Sequence, residues 1–192
     1  MKTLESTAKL PTTYGLFTIH AYKNGKKNEN IALTRGNLKN KKNVLTRIQS
    51  ECLTGEVFCS TRCDCQEQLT TSLQLLGKEK DAMLIYLRQE GRGIGLFQKI
   101  NAYHLQDEGL DTVEANQKLG FAPDKRDYAE AARIIKDAGI KSIKLLTNNP
   151  EKVKDLKKHG IVVTERIPLL TIPTTENKRY LQTKKEKLGH VL

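Results

Sequence analysis

The residues best equipped for chemistry lie between Arg47 and Cys65, in the run R-I-Q-S-E-C-L-T-G-E-V-F-C-S-T-R-C-D-C, which holds all four cysteines of the chain. Cys63 and Cys65 are one residue apart, so an extended backbone points both sulfurs to one face. Cys52, beside Glu51, can return to that face through Thr54-Gly55-Glu56, because glycine tolerates the turn. Thiolates closing on one point suit zinc, which favours soft, tetrahedral ligand sets. Three sulfurs leave a position open to water and make a catalytic site, whereas four make a structural one. The same spacing also fits reduced cysteines packed in a core.

A chain of 192 residues is long enough for one domain with a real core. No apolar run reaches the length of a membrane span, and the N-terminal M-K-T-L-E-S-T-A-K-L-P lacks the apolar stretch of a signal peptide. The expected location is the cytoplasm, where clustered cysteines favour metal binding or catalysis over disulfides. A formal charge of +11 implies an anionic partner. The basic residues are scattered, with no aromatic ribonucleoprotein strand and no finger spacing of Cys and His, so nucleic acid is not the expected partner.

The positioning elements follow from periodicity. Residues 14–22 and 30–35 read as strands joined across Lys23-Asn24-Gly25-Lys26-Lys27, and 43–49 as a third strand delivering Arg47, together an N-terminal antiparallel meander. Leu69, Leu73 and Leu76 have helical spacing over 66–76, with Gly77 as a stop signal. Ala82–Leu87 is apolar throughout, as in a buried strand, and runs into R-Q-E-G-R-G-I-G. Those glycines can cradle phosphate on backbone N–H groups, or simply turn the chain from strand to helix. A helix is expected over 100–107, carrying Tyr103, and a site-forming loop over 109–122. A helix over 128–138, a strand over 140–147, a helix from Pro150 to Gly160 capped by Asn148 or Asn149, and a strand over 161–165 form a βαβ unit. A charged C-terminal helix, about 174–190, is read as docking on a partner subunit. The expected fold is α/β, a mixed, partly parallel sheet with flanking helices, in a single domain over 1–192.

Several motifs, taken together, resemble a known family. S-E-C-L-T-G at 50–55, R-C-D-C at 62–65, R-Q-E-G-R-G-I-G-L at 88–96 and D-T-V-E-A-N at 111–116 resemble GTP cyclohydrolase II. So do L-G-F-A-P-D-K-R-D-Y at 119–128, T-N-N-P at 147–150 and the closing K-x-E-K-L-G-H. The resemblance runs from about Leu33 to the end, and implies a homodimer that opens the imidazole ring of GTP with release of formate and pyrophosphate, the first step of riboflavin synthesis. It implies both zinc and magnesium as cofactors.

By the same resemblance Cys52, Cys63 and Cys65 hold zinc; Cys59, four residues before Cys63, is read as an ordinary packed thiol, because a closed four-sulfur site would demand a chain reversal there. Tyr103 assists ring opening, and Asp124 and Arg126 match the family's acid–base and phosphate-attacking pair. A guanidinium is a poor nucleophile unless a carboxylate takes its proton, and a bidentate phosphate clamp is the easier role for Arg126. The implied GTP contacts are Arg47, Ile48, Gln49, Ser50 and Glu51. They continue with Gln68, Glu90, Gly91 and Arg92, and end with Thr112, Thr147 and Lys152. Glu90 has the chemistry to pair with the guanine edge, and Arg47, Arg92 and Lys152 with triphosphate oxygens. Gln49 departs from the histidine usual in the family, replacing a proton donor by an amide. The alternative to a full cyclohydrolase is a relative that binds GTP as a sensor or stops at the formamidopyrimidine.

Overall fold

The computed structural model describes residues 4–23 and 29–191. Its strands are β1 (Leu4–Thr12), β2 (Gly15–Lys23), β3 (Asn30–Arg35), β4 (Val44–Ser50), β5 (Ala82–Leu87), β6 (Ile143–Leu146) and β7 (Val163–Ile167). They form a seven-stranded sheet in the order β1-β2-β3-β5-β4-β6-β7. The first pairings, through β3 with β5, are antiparallel, and β5-β4-β6-β7 are parallel. The helices are α1 (Leu53–Glu56), α2 (Cys65–Lys78), α3 (Leu96–Asp107), α4 (Thr112–Lys118), α5 (Ala129–Asp137), α6 (Pro150–Lys158) and α7 (Lys178–Leu188), with a 3-10 turn at Glu90–Gly93.

The sheet is covered on both faces, and β5 shows why its sequence is apolar throughout. Met83, Ile85 and Leu87 join Ile48, Ile134 and Leu156 in the larger core, on the side of α5 and α6. Ala82 and Leu84 join Phe17 and Leu76 in a second core, with Leu69 and Leu73 of α2 packed against it. A strand buried on both faces needs apolar residues at every position.

Two expectations change. The meander does not include residues 43–49: β5 inserts between β3 and β4, and β4 pairs in parallel with both β5 and β6. Its antiparallel third member is instead β1, which sequence reading passes over because L-E-S-T-A-K-L-P-T has no clean apolar face. An edge position accounts for that composition and for Pro11, which could not serve a central ladder. Gly77 does not stop α2, which continues to Lys78. The stop at its end comes from Glu79, which turns to an extended conformation. Asn24–Lys27, expected to turn β2 into β3, fall outside the described residues. Among those described, no helix is long and apolar enough to cross a membrane.

Close approach explains Gly77. A Cβ there would lie 2.0 Å from the carbonyl oxygen of Tyr14, in the turn between β1 and β2. Gly77→Ala is therefore expected to destabilise the protein by about 1–3 kcal/mol despite alanine's better helix propensity. The shift in denaturant midpoint at unchanged m-value measures it.

Candidate active site

The parallel strands β4, β5 and β6 end at the same edge of the sheet. From β5 the chain must cross to β6 on the far side of β4, and open α/β sheets bind ligands at such a reversal, beyond the carboxyl ends of the strands. Three segments converge there: Ser50–Cys52 after β4, the 3-10 turn after β5, and Thr147–Asn149 after β6. They line one open cavity at that edge. Alternation along β4 sorts the candidate residues: Arg47 and Gln49 face the cavity, and Ile48 is fully buried in the larger core. Only the main chain of Ile48 takes part in the site, its carbonyl accepting from Lys152 Nζ at 2.8 Å.

The cysteines converge by a different route from the one expected. Cys63 and Cys65 do not share an extended strand; Asp64 bends the chain (φ −100°, ψ 13°) and Cys65 opens α2. Cys52 stands at the N-terminus of α1. The Sγ atoms of Cys52, Cys63 and Cys65 all lie within 4.8 Å of one another, and those of Cys52 and Cys63 are 3.7 Å apart. Zinc–sulfur bonds of about 2.3 Å at tetrahedral angles put sulfurs about 3.8 Å apart, so this spacing fits a zinc ion. Gly55 makes room for the cluster: a Cβ there would sit 2.9 Å from Cys63 Sγ and 3.3 Å from Cys52 Sγ. Cys59 stands apart from the cluster but is not packed as expected: it is exposed at φ +55°, its sulfur accepting from Gln66 Nε2 at 3.1 Å.

Charge at the cluster points to a cation. Hydrogen bonds from Cys63 and Cys65, aided by the Lys99 ammonium, hold the Cys52 thiol far below its ordinary value. The hydrogen bond to Cys52 in turn pushes the Cys63 thiol up to about 11, and contacts with Cys52 and then Cys63 push that of Cys65 up as well. One thiolate is comfortable; three together need a positive ion between them.

Helix α3 supplies the neighbouring chemistry. Lys99, Ala102, Tyr103 and Gln106 fall on one helical face and line the cavity. The Tyr103 hydroxyl is 3.0 Å from Thr54 Oγ1, which in turn lies 3.8 Å from Cys52 Sγ. Burial raises the Tyr103 pKa, keeping a proton on the hydroxyl. Lys99 was not foreseen, because the expected helix began at Ile100; the actual helix starts at Leu96, behind Gly95 at φ +86°. With that start, Lys99 precedes Tyr103 by one turn, which is the signal that could have found it. Glu90, assigned to the guanine edge from sequence, turns inward. Its carboxylate accepts from Leu53 N at 2.6 Å, Gly91 N at 2.7 Å and Lys99 Nζ at 2.8 Å.

A second group of side chains is cationic. Arg47 is buried and donates to Leu146 O, to Gln68 Oε1, and to Gln49 Oε1 through both Nε and Nη2. Gln49 passes the linkage on, donating to Glu56 Oε1 at 2.7 Å, so its amide is engaged at both ends. Burial brings the Arg47 pKa down to about 10. Burial, then the charges of Arg47 and Arg126, push Lys152 well below its ordinary range, so Lys152 is no solvated surface lysine. Arg92 Nη1 is buried without a hydrogen-bond partner. Arg126 Nε donates to both oxygens of Asp124, at 2.9 and 3.1 Å. Arg126 lines the cavity, and Asp124 stands behind it. Glu51 is paired with Arg88 at 3.1 Å, and Ser50 Oγ accepts from Gln89 Nε2 at 2.9 Å. Thr112 opens α4, where Asp111 and Glu114 form a capping box in place of the expected loop.

The C-terminal helix is also part of the wall. Rather than reaching only toward a partner subunit, α7 packs on its own chain. Lys184 Nζ meets Asp64, the residue between two cysteines, at 2.9 Å, and Lys187 contacts Asp111 and Glu114. Tyr180, Lys184 and His190 line the cavity. Burial, then Lys184 and Arg126, bring the His190 pKa down to about 3, so its imidazole is neutral there. Such long-range placement leaves no local trace in sequence.

Fold and site together define an α/β enzyme with a thiol cluster able to hold a metal beside a pocket short of anions. The model of the GTP cyclohydrolase II family matches residues 3–168. The GTP cyclohydrolase-2 of Neisseria meningitidis serogroup B is 53% identical over 187 residues, 97% of this chain and 95% of that protein. That of Picrophilus torridus is 50% identical over 186 residues, 97% of both chains. The riboflavin biosynthesis protein RibBA of Bacillus mycoides is 52% identical over 191 residues, 99% of this chain and 48% of that one. The chain belongs to the GTP cyclohydrolase II family of riboflavin biosynthesis.

Gly55→Ala tests the thiol geometry. Alanine favours the helix by up to about 1 kcal/mol, so any loss reports crowding of the sulfurs. The variant is expected to fold normally by circular dichroism and to bind zinc at least about tenfold more weakly in a chelator competition.

Proposed function

We propose that this chain catalyses the complete GTP cyclohydrolase II reaction as one domain, releasing formate and pyrophosphate from GTP and leaving the diaminopyrimidine ribosylamine monophosphate. The observation that carries this reading is one cavity shared by the three-cysteine cluster, Tyr103 and the basic side chains. Cys52, Cys63 and Cys65 would hold one zinc ion, which supplies Lewis acidity and an acidified water at carbon 8. The chain's own groups do the rest. Tyr103, positioned by Thr54, keeps a hydroxyl beside the cluster to orient the attacking water and hydrogen-bond the tetrahedral adduct. Hydrolytic addition at carbon 8 breaks its bond to a ring nitrogen, and a second hydrolysis frees the carbon as formate.

The cations account for the other product. Arg47 and Lys152 are buried and Arg92 and Arg126 half-buried around the cavity, a basic set that suits a triphosphate accompanied by magnesium. Burial works against the charge of Arg126, while the hydrogen bond and ion pair with Asp124 favour the protonated guanidinium, whose pKa stays above its ordinary value. That state favours clamping the charge that develops as the α–β phosphate bond breaks. Nucleophilic attack would require Asp124 to take the proton first. Gln68, Glu51, Ser50, Gly91, Thr112 and Thr147 complete the substrate enclosure, and Gln49 contributes by orienting Arg47.

The reading extends to a homodimer in the cytoplasm. Phe58 and Phe97 are 70% and 76% exposed, with Val57 and Ile100 also exposed nearby in sequence, apolar area suited to a second copy. Light scattering should give twice the chain mass.

Purified protein assayed with GTP and magnesium should yield formate and pyrophosphate in equal amounts, with about one zinc per chain. Pyrophosphate alone would indicate an arrested site, and GTP binding without either product a sensor. Cys63→Ser is expected to lose zinc and formate release while keeping pyrophosphate cleavage. Arg126→Ala should lower turnover by about a hundredfold or more with zinc retained; full activity would refute the role given to Arg126.

A further inference from the structure

Three thiolates around a dication leave a centre with one negative charge in excess. Such a centre donates electrons strongly and is a weak Lewis acid, so an electrophilic role calls for a compensating positive charge at the sulfurs. The fold brings one. Lys99 is 8% exposed, and its Nζ donates to Cys52 Sγ at 3.2 Å and to Glu90 Oε1 at 2.8 Å. Its ammonium also lies 5.6 Å from the centre of the Tyr103 ring.

This placement is built from several directions. Glu90, which holds Lys99, also accepts from the N–H of Leu53, the residue after Cys52, so the pair grips both the ligand's sulfur and the backbone beside it. Gly91, at φ +61°, closes over the lysine stem; a Cβ there would lie 3.1 Å from Lys99 Cβ. An ion pair needed only for folding would have no reason to bring its ammonium against a metal-ligating thiol, where burying it is costly.

We propose that Lys99, anchored by Glu90, is a positioning residue for the thiol-held metal. It hydrogen-bonds the Cys52 thiolate, withdraws electron density from that sulfur, and keeps the centre electrophilic enough for ring opening. This rests on the reading of the cysteines as a zinc site, and the test separates the two. Cobalt(II) substituted for zinc reports thiolate donation through its charge-transfer absorption, independently of turnover.

In Lys99→Met the stem is kept and the donor removed. The cobalt charge-transfer band should move to lower energy, because a thiolate without its hydrogen bond gives up an electron more easily. Zinc affinity in a chelator competition should fall about tenfold to a hundredfold. Formate release should drop by a similar factor or more, with pyrophosphate cleavage within about threefold of the parent. Lys99→Arg, which keeps a charged donor, should recover the band position. A cobalt band unmoved in Lys99→Met, or equal loss of formate and pyrophosphate, would overturn the proposal. A parent protein that gives no thiolate–cobalt absorption at all would instead overturn the zinc reading on which it rests.

Discussion

Around one cavity the protein takes out of water a cluster of thiols and a set of cations, and each set repels itself. Neither group is stable as a bare collection of like charges. The protein meets the difficulty by cross-pairing: Lys99 sits on Cys52, Lys184 on Asp64 between two cysteines, Asp124 on Arg126, and Arg47 is tied to neutral amides and a carbonyl. What cross-pairing leaves over is a positive ion for the sulfurs and a polyanion for the arginines and Lys152. The substrate and metal of the family supply charges of those signs.

Placement of these charges depends on the strand order. Because β5 enters between β3 and β4, the carboxyl ends of β4, β5 and β6 lie side by side. Residues 50–52, 90–92 and 147–152, far apart in the chain, then share one edge. Alternation along β4 puts Arg47 and Gln49 toward the cavity and Ile48 into the core, so one strand both anchors the sheet and furnishes the site. Two close approaches secure the surroundings: Gly77 lets α2 lie on the β1–β2 turn, and Gly55 lets the sulfurs meet.

Helix α7 bears on the same problem. Its Lys184 neutralises a buried carboxylate that lies between two of the clustered cysteines, and Gln68 and Thr171 share that carboxylate at 2.6 and 3.1 Å. The C-terminal segment is thereby coupled to the thiol cluster through a single buried pair. Breaking such a pair leaves an uncompensated charge in the interior, at a cost of about 3–5 kcal/mol, so docking of α7 and integrity of the cluster go together.

The division between what was legible and what was not follows from the range of the forces involved. Local patterns are written in neighbouring residues: the apolar run of β5, the Asn149 cap and Pro150 start of α6, the spacing of Leu69, Leu73 and Leu76, and the motifs that resemble the family. These marked most elements, the three clustered cysteines and part of the cavity lining, but not Lys99, Gln106, Tyr180, Lys184 or His190. Pairing partners of strands are set by burial across the whole sheet, so the parallel setting of β4 and the edge strand β1 could not be read locally. The same holds for side-chain direction. Glu90 turned inward to Leu53 and Lys99, Lys99 itself brought onto Cys52, and Lys184 reaching Asp64 across 120 positions of chain are decided by which charges meet once the core has formed. The sequence alone determined the chemistry available; tertiary structure decided which charges face each other, because only packing sets the distances over which they act.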